Sequence, residues 1–173
     1  MKVIFLDRDG VLNIPFIING KTYAPKKKSE FKFYPYTKKN CISLIKSGYK
    51  LIVITNQPDL SKGTLKFNEL KKMNKKLKEE LKIKKIYTSY SFNDKNINRK
   101  PNPGLLLKAV KEFNINIKKS YMIGDRKKDM DAAKNIGCRS IFIDRNYHET
   151  KPKTQLYTCK SFNKAVSFIK RNR

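Results

Sequence analysis

Val3-Ile4-Phe5-Leu6-Asp7-Arg8-Asp9-Gly10 is the stretch on which the fold turns. Four apolar residues run straight into three charges and a glycine. An apolar run this short, with no polar alternation, reads as a strand buried on both faces. Such strands belong to parallel sheets, whose ligands sit beyond the carboxyl ends of the strands. The charges after Leu6 therefore stand where a sheet of this kind does its chemistry.

Outward from this stretch the alternation continues. Thr37 to Lys46 carries Cys41, Ile42, Leu44 and Ile45 on one side and stops at Gly48, which predicts a helix. Leu51 to Ile54 is a second buried strand. Leu70, Met73, Leu77 and Leu81 recur at three and four, so 65–82 is an amphipathic helix with a core-facing stripe. Ile86 to Tyr90 is a third strand, 93–98 a polar loop, and Pro103-Gly104 opens a helix to about Phe113. Tyr121 to Ile123 is a fourth strand and Met130 to Ile136 a short helix ended by Gly137. Ser140 to Ile143 is a fifth strand and Phe162 to Lys170 a closing helix. The alternation predicts an α/β fold in one domain over residues 1–173, its five-stranded parallel sheet covered by helices on both faces.

Composition narrows the function classes. The chain is 39% hydrophobic and 32% charged, too apolar for a disordered chain. No apolar run approaches the roughly 20 residues of a membrane span. MKVIFLDRDG meets charges too soon for a secretory signal. Cys41, Cys138 and Cys159 are odd in number and far apart, and His148 is the lone histidine, so neither a disulfide framework nor a Cys/His zinc site is expected. A cytoplasmic monomer is the expectation. The net charge of +27 has two readings, a polyanion footprint or compositional drift. Lys outnumbers Arg 34 to 7, and the lysines are spread along the whole chain. A phosphate-reading surface would favour the bidentate arginine fork. Drift is the better reading, and only weak, non-specific contact with nucleic acid is expected.

The strand ends carry the chemistry. Asp7-Arg8-Asp9-Gly10 follows the first strand and Thr55-Asn56-Gln57 the second. Arg99-Lys100-Pro101 follows the third and its loop, and Gly124-Asp125-Arg126 follows the fourth, with Asp129 four residues beyond Asp125. Asp7 and Asp125 form a carboxylate pair, which repels unless a cation sits between them. Oxygen donors without His or Cys suit Mg²⁺. Thr55 supplies a hydroxyl and Lys100 a positive charge, a set matched to a phosphoryl group. Asp7 and Asp9, at i and i+2, point the same way in an extended chain. That suits one carboxylate as nucleophile and the other as general acid and base. Each motif alone has a plain structural reading: a strand-ending turn for DRDG, a helix N-cap for Gly124-Asp125. Four in order, each after a predicted strand, point to function.

FLDRDGVLN, VITNQPDLSKG, RKPNPG and IGDRKKDMDAA span residues 5 to 133 and together resemble the haloacid-dehalogenase superfamily of Mg²⁺-dependent phosphohydrolases. DRDG, TNQ, RKPNPG, GDRKKDMDAA and FKFYP (31–35) are similar in particular to its group of heptose-bisphosphate 7-phosphatases and histidinol-phosphate phosphatases. The resemblance implies a Rossmann-like three-layer sandwich with strand order 5-4-1-2-3 and a minimal cap. It implies Asp7 as nucleophile and metal ligand, and Asp9 as general acid and base that also offers its backbone carbonyl to the metal. Thr55 and Asn56 would hold the transferring phosphoryl group and Lys100 would neutralise it. Arg99 and Arg126 would contact the rest of the substrate, and Asp125 would complete the metal site, with Asp129 behind it. The group commonly carries a zinc loop before RKP. Tyr87 to Pro101 holds no Cys or His, so zinc is not expected.

Only a flap-like stretch (13–34) and one helix separate Asp9 from Thr55, and one helix and one strand separate Thr55 from Lys100. Neither interval holds a lid domain, which leaves an open site for a bulky or doubly phosphorylated substrate. The substrate implied is a sugar phosphate, D-glycero-D-manno-heptose 1,7-bisphosphate losing its 7-phosphate, in nucleotide-activated heptose synthesis. The alternatives are histidinol phosphate and a polynucleotide 3′-phosphate. A non-enzymatic module on a decayed fold is disfavoured, because Asp7, Asp9, Thr55, Lys100 and Asp125 are all present.

Overall fold

The computed structural model describes residues 1–172. At its centre is a parallel sheet built from β1 (Val3–Leu6), β4 (Lys50–Asn56), β5 (Lys85–Ser89), β6 (Tyr121–Gly124), β7 (Arg139–Ile143) and β8 (Tyr157–Cys159). Their order is β5-β4-β1-β6-β7-β8. The first five carry the expected 5-4-1-2-3 arrangement. The sixth corrects the expected five-stranded sheet: β8 pairs with β7 in parallel, Ile141 to Tyr157 and Ile143 to Cys159. Three residues are too few to carry a periodic signal, and tertiary pairing supplies what the local pattern lacks.

Strand pleating sorts the core into two layers. Ile4 and Leu6 of β1, with Leu51 and Val53 of β4, pack against α1 (Thr37–Lys46), α2 (Phe67–Leu81) and α5 (Phe162–Arg171). Val3 and Phe5, with Ile52 and Ile54, pack on the other face against α3 (Gly104–Phe113) and α4 (Lys127–Lys134). The stripe expected on α2 is buried as Leu70, Met73, Leu77 and Leu81. This is the expected three-layer sandwich. Helix α4 begins three residues before the expected Met130, because Asp129 caps its first turn by accepting the Arg126 backbone N–H at 3.1 Å.

The 13–34 stretch contains an antiparallel hairpin, β2 (Phe16–Ile18) and β3 (Lys21–Tyr23), turned at Asn19-Gly20. Its side chains are largely exposed, Ile17 and Ile18 among them, so it stands over the sheet as a flap and not as a core element. The three cysteines are buried and free. Among the described residues no helix is long and apolar enough to cross a membrane.

Candidate active site

The register of β1 between β4 and β6 puts the carboxyl ends of three strands side by side. Asp7 follows β1, Thr55 lies near the end of β4, and Asp125 follows β6. Lys100 arrives from the loop after β5. All four are nearly closed to solvent: Asp7 is 8% exposed, Thr55 1%, Lys100 2% and Asp125 3%. They line one cavity of about 240 Å³, together with Asp9, Asn56, Arg126 and Asp129.

Close approach here depends on two glycines. Gly10 has φ +88°, and a Cβ on it would fall 1.7 Å from the Asp125 Oδ2. A Cβ on Gly124 would meet the Asp129 Cβ at 2.3 Å. Neither position has room for a side chain, so the DRDG turn and the start of α4 both press on the carboxylates.

Asp7, Asp125 and Asp129 each bring a carboxylate oxygen within 4.8 Å of the others. Asp129, expected behind the metal site, stands within the carboxylate cluster. The Lys100 Nζ lies 2.7 Å from Asp7 Oδ1 and 2.7 Å from Asp129 Oδ1, and it also donates to the Ile54 carbonyl. Burial pushes the Asp7 carboxyl up to about 6, the Asp129 charge adds to this, and Lys100 offsets part of it. Burial also raises Asp125 well above the carboxylate range, reinforced by the charges of Asp7 and Asp129. Burial alone would depress Lys100, but the two carboxylates outweigh it and hold the amine protonated. One ammonium does not balance three carboxylates. The Asp125 Oδ1 is buried with no hydrogen-bond partner. An all-oxygen donor set with an orphaned buried oxygen fits a hard divalent cation such as Mg²⁺.

Asp9 is held differently. Its carboxylate accepts from Arg8 Nε at 3.0 Å, Asn13 Nδ2 at 2.9 Å and Gln57 Nε2 at 2.7 Å. Arg8 is completely buried and stacked over the Phe31 ring. Gln57 Nε2 also donates to Thr55 Oγ1 at 2.9 Å. Gln57 and Arg8 were not foreseen as site residues. The signal for Gln57 was available: it stands two residues after Thr55 and so shares its side of the chain. Arg8 carries no such signal, since a charge beside a catalytic motif ordinarily reads as solvent-facing.

Two side chains expected to contact the substrate are engaged with the protein itself. Asn56 uses its side-chain amide on the Lys100 backbone, donating to the carbonyl at 3.1 Å and accepting from the N–H at 3.2 Å. Arg99 fastens its own loop, donating to Asp94 Oδ1 at 2.8 Å and to the Ser91 carbonyl at 2.9 Å. It is not among the residues lining the cavity. Arg126 does line the cavity and is paired with Glu149. Residues 144–151, between β7 and β8, form a strap over this edge of the site. From it Arg145 donates to the Gly10 carbonyl at 2.9 Å, and the Tyr147 hydroxyl lies against Asp125.

A family model described as haloacid dehalogenase-like hydrolase matches residues 7–143, most of the chain. The chain belongs to the haloacid dehalogenase-like hydrolases. It is 33% identical over 181 residues to D-glycero-beta-D-manno-heptose-1,7-bisphosphate 7-phosphatase of Helicobacter pylori, covering 98% of each chain. It is 35% identical over 147 residues to the D-glycero-alpha-D-manno-heptose-1,7-bisphosphate 7-phosphatase of Campylobacter jejuni, covering 82% of this chain and 81% of that one. The crystal structure of D,D-heptose 1,7-bisphosphate phosphatase from B. bronchiseptica, complexed with magnesium and phosphate, superposes with a TM-score of 0.85. That match spans 100% of both chains at 21% identity. This hydrolase is thus similar over its whole length to sugar-phosphate phosphatases.

Proposed function

We propose that the protein is a Mg²⁺-dependent phosphomonoesterase that removes the 7-phosphate of D-glycero-D-manno-heptose 1,7-bisphosphate, in the synthesis of nucleotide-activated heptose. The observation that carries this reading is the buried cluster of Asp7, Asp125 and Asp129 around Lys100, with Asp9 on the wall of the same cavity. Asp7 and Asp125, with the Asp9 backbone carbonyl, would hold the metal, and Asp129 would stand behind them, bound to Lys100. Bound there, Mg²⁺ would offset the repulsion between carboxylates and phosphate and supply charge to the phosphoryl oxygens.

The chain's own residues then divide the work. Thr55 and Lys100 orient the phosphoryl group over Asp7, with Lys100 supplying the positive charge. Asn56 contributes by fixing the backbone of Lys100. The Asp7 carboxylate attacks phosphorus, the ester P–O bond breaks, and Asp9 gives its proton to the departing alkoxide. Water then attacks the phospho-aspartate, Asp9 takes its proton back, and inorganic phosphate leaves with Asp7 restored. Gln57, Asn13 and Arg8 set where Asp9 stands during both steps. Arg126, on the cavity wall, would meet the far end of the sugar phosphate.

A second reading has its own support. The chain is 33% identical over 162 residues to the histidine biosynthesis bifunctional protein HisB of Bacteroides fragilis, matching 42% of that protein. Histidinol phosphate is therefore the alternative substrate.

The test is phosphate release from the heptose bisphosphate, from histidinol phosphate and from a 3′-phosphorylated oligonucleotide, each with Mg²⁺ and with chelator. The expected result is Mg²⁺-dependent turnover fastest on the heptose bisphosphate, falling by at least about 10³-fold in Asp7→Asn. Faster turnover of either competitor would replace the proposed substrate.

A further inference from the structure

Arg126 stands at a passage between two cavities. It lines the catalytic cavity and also an adjoining groove of about 370 Å³ beneath the hairpin. Thr22 and Tyr23 belong to both walls, and Lys21, His148 and Glu149 are among the other residues of the groove. On the sugar-bisphosphate reading, a substrate with its reacting phosphoryl group over Asp7 would point its far end through this passage. Yet Arg126 is already engaged. The Glu149 carboxylate takes the guanidinium in a fork, accepting from Nε at 3.0 Å and from Nη2.

We propose that Glu149 is a specificity and release residue, an internal carboxylate that competes with the distal anion of the substrate for Arg126. This rests on the sugar-bisphosphate reading. Hydrolysis of a bisphosphate removes one phosphate and leaves the other on the product. Contacts to the retained phosphate are made equally by substrate, transition state and product. Such uniform binding lowers KM without raising kcat, and it holds the product in the site. A competing carboxylate tethered to the same wall re-forms the pair as the product departs, which shortens a step that often limits turnover. The hairpin tip packs closely on the strap beside this pair: a Cβ on Gly20 would lie 2.7 Å from the Nδ1 of His148, the neighbour of Glu149. The pair is partly open to solvent, with Arg126 28% and Glu149 37% exposed in their side chains, so the competition is mild.

Glu149→Gln keeps the shape and removes the charge. Two quantities read the effect: the KM for the heptose bisphosphate relative to that for 4-nitrophenyl phosphate, which has no distal anion, and the inhibition constant of the heptose 1-phosphate product. Both should fall about two- to fivefold in the variant, the scale of a half-exposed ion pair. A rise in either would mean that Glu149 orients Arg126, and unchanged values would mean that the pair is incidental; each overturns the proposal. Absence of wild-type turnover on the heptose bisphosphate would instead defeat the substrate reading. The competition is then read from inhibition of 4-nitrophenyl phosphate hydrolysis by hexose bisphosphates and hexose monophosphates. Glu149→Gln must strengthen inhibition by the bisphosphates alone, and equal effects on both would reject it.

Discussion

The carboxylate cluster and the strap that borders it are built on opposite principles. Asp7 and Asp125 follow central strands β1 and β6, Asp129 caps α4, and all three are buried. The strap over 144–151 has no regular secondary structure and is tied down by side chains: Arg145 to Gly10, Glu149 to Arg126, and Asp144 to Lys151 and Lys160. The first region fixes its geometry by backbone and core packing, and leaves like charges facing one another. The second is electrostatically satisfied and costs little to rearrange. Reaction chemistry gains from a preorganised site of the first kind. Recognition of a substrate that must also leave gains from the second.

The largest effect is expected where the rigid region carries uncompensated charge. Asp125→Asn should abolish Mg²⁺-dependent turnover and yet raise the melting temperature of the metal-free protein by about 2–5 °C, since it removes one buried like charge. Calorimetry in chelator reads this directly, and a lower melting temperature would show that the cluster is not strained. The pH dependence follows from Asp7. Its carboxyl is raised from 3.8 to about 6, so the fold favours the protonated acid. Below about 4 both folded and unfolded chains hold that proton and nothing is lost. Between about 4 and 6 only the unfolded chain ionises freely, so metal-free stability drops as pH rises and stays lower above 6. Mg²⁺ should therefore add more stability at pH 8 than at pH 5.

An intermediate effect is expected at the boundary between the two regions. Gln57→Leu removes one donor shared by Asp9 and Thr55, and should lower kcat about tenfold to a hundredfold while KM changes little. Steady-state kinetics on one substrate suffice, and a shift confined to KM would place Gln57 in binding instead. The smallest effect belongs to the strap. Lys151 and Lys160 hold the Asp144 carboxyl well below the usual carboxylate range, with the Asn146 N–H assisting. A depressed carboxyl stabilises the fold above its unfolded pKa, and the contribution disappears as pH falls through the folded value. Asp144→Asn should cost within about 1 kcal/mol at pH 7 by chemical denaturation, and nothing once wild-type Asp144 is protonated.

The same contrast explains what could be read before the structure. VIFL and LIVI are apolar throughout because both faces are buried, so the central strands and the residues at their ends were plain. The hairpin escaped assignment as strands because its residues face solvent and follow no period. Strand β8 was too short to show alternation. Glu149 lies 23 residues from Arg126, so only the fold could reveal their pairing. Arg99 and Asn56 sit within the expected motifs, but spacing alone does not tell whether such a side chain reaches outward to a ligand or braces its neighbours. In this chain one fastens a loop and the other the backbone of Lys100.

Asp129 divides its two oxygens between opposite duties: Oδ2 starts helix α4 at the Arg126 N–H, while Oδ1 grips the Lys100 ammonium. Shape and reactivity thus share a single hinge pin. A change there that loosens the helix also frees the lysine, so the position should resist even the exchange of one acidic side chain for its longer homologue.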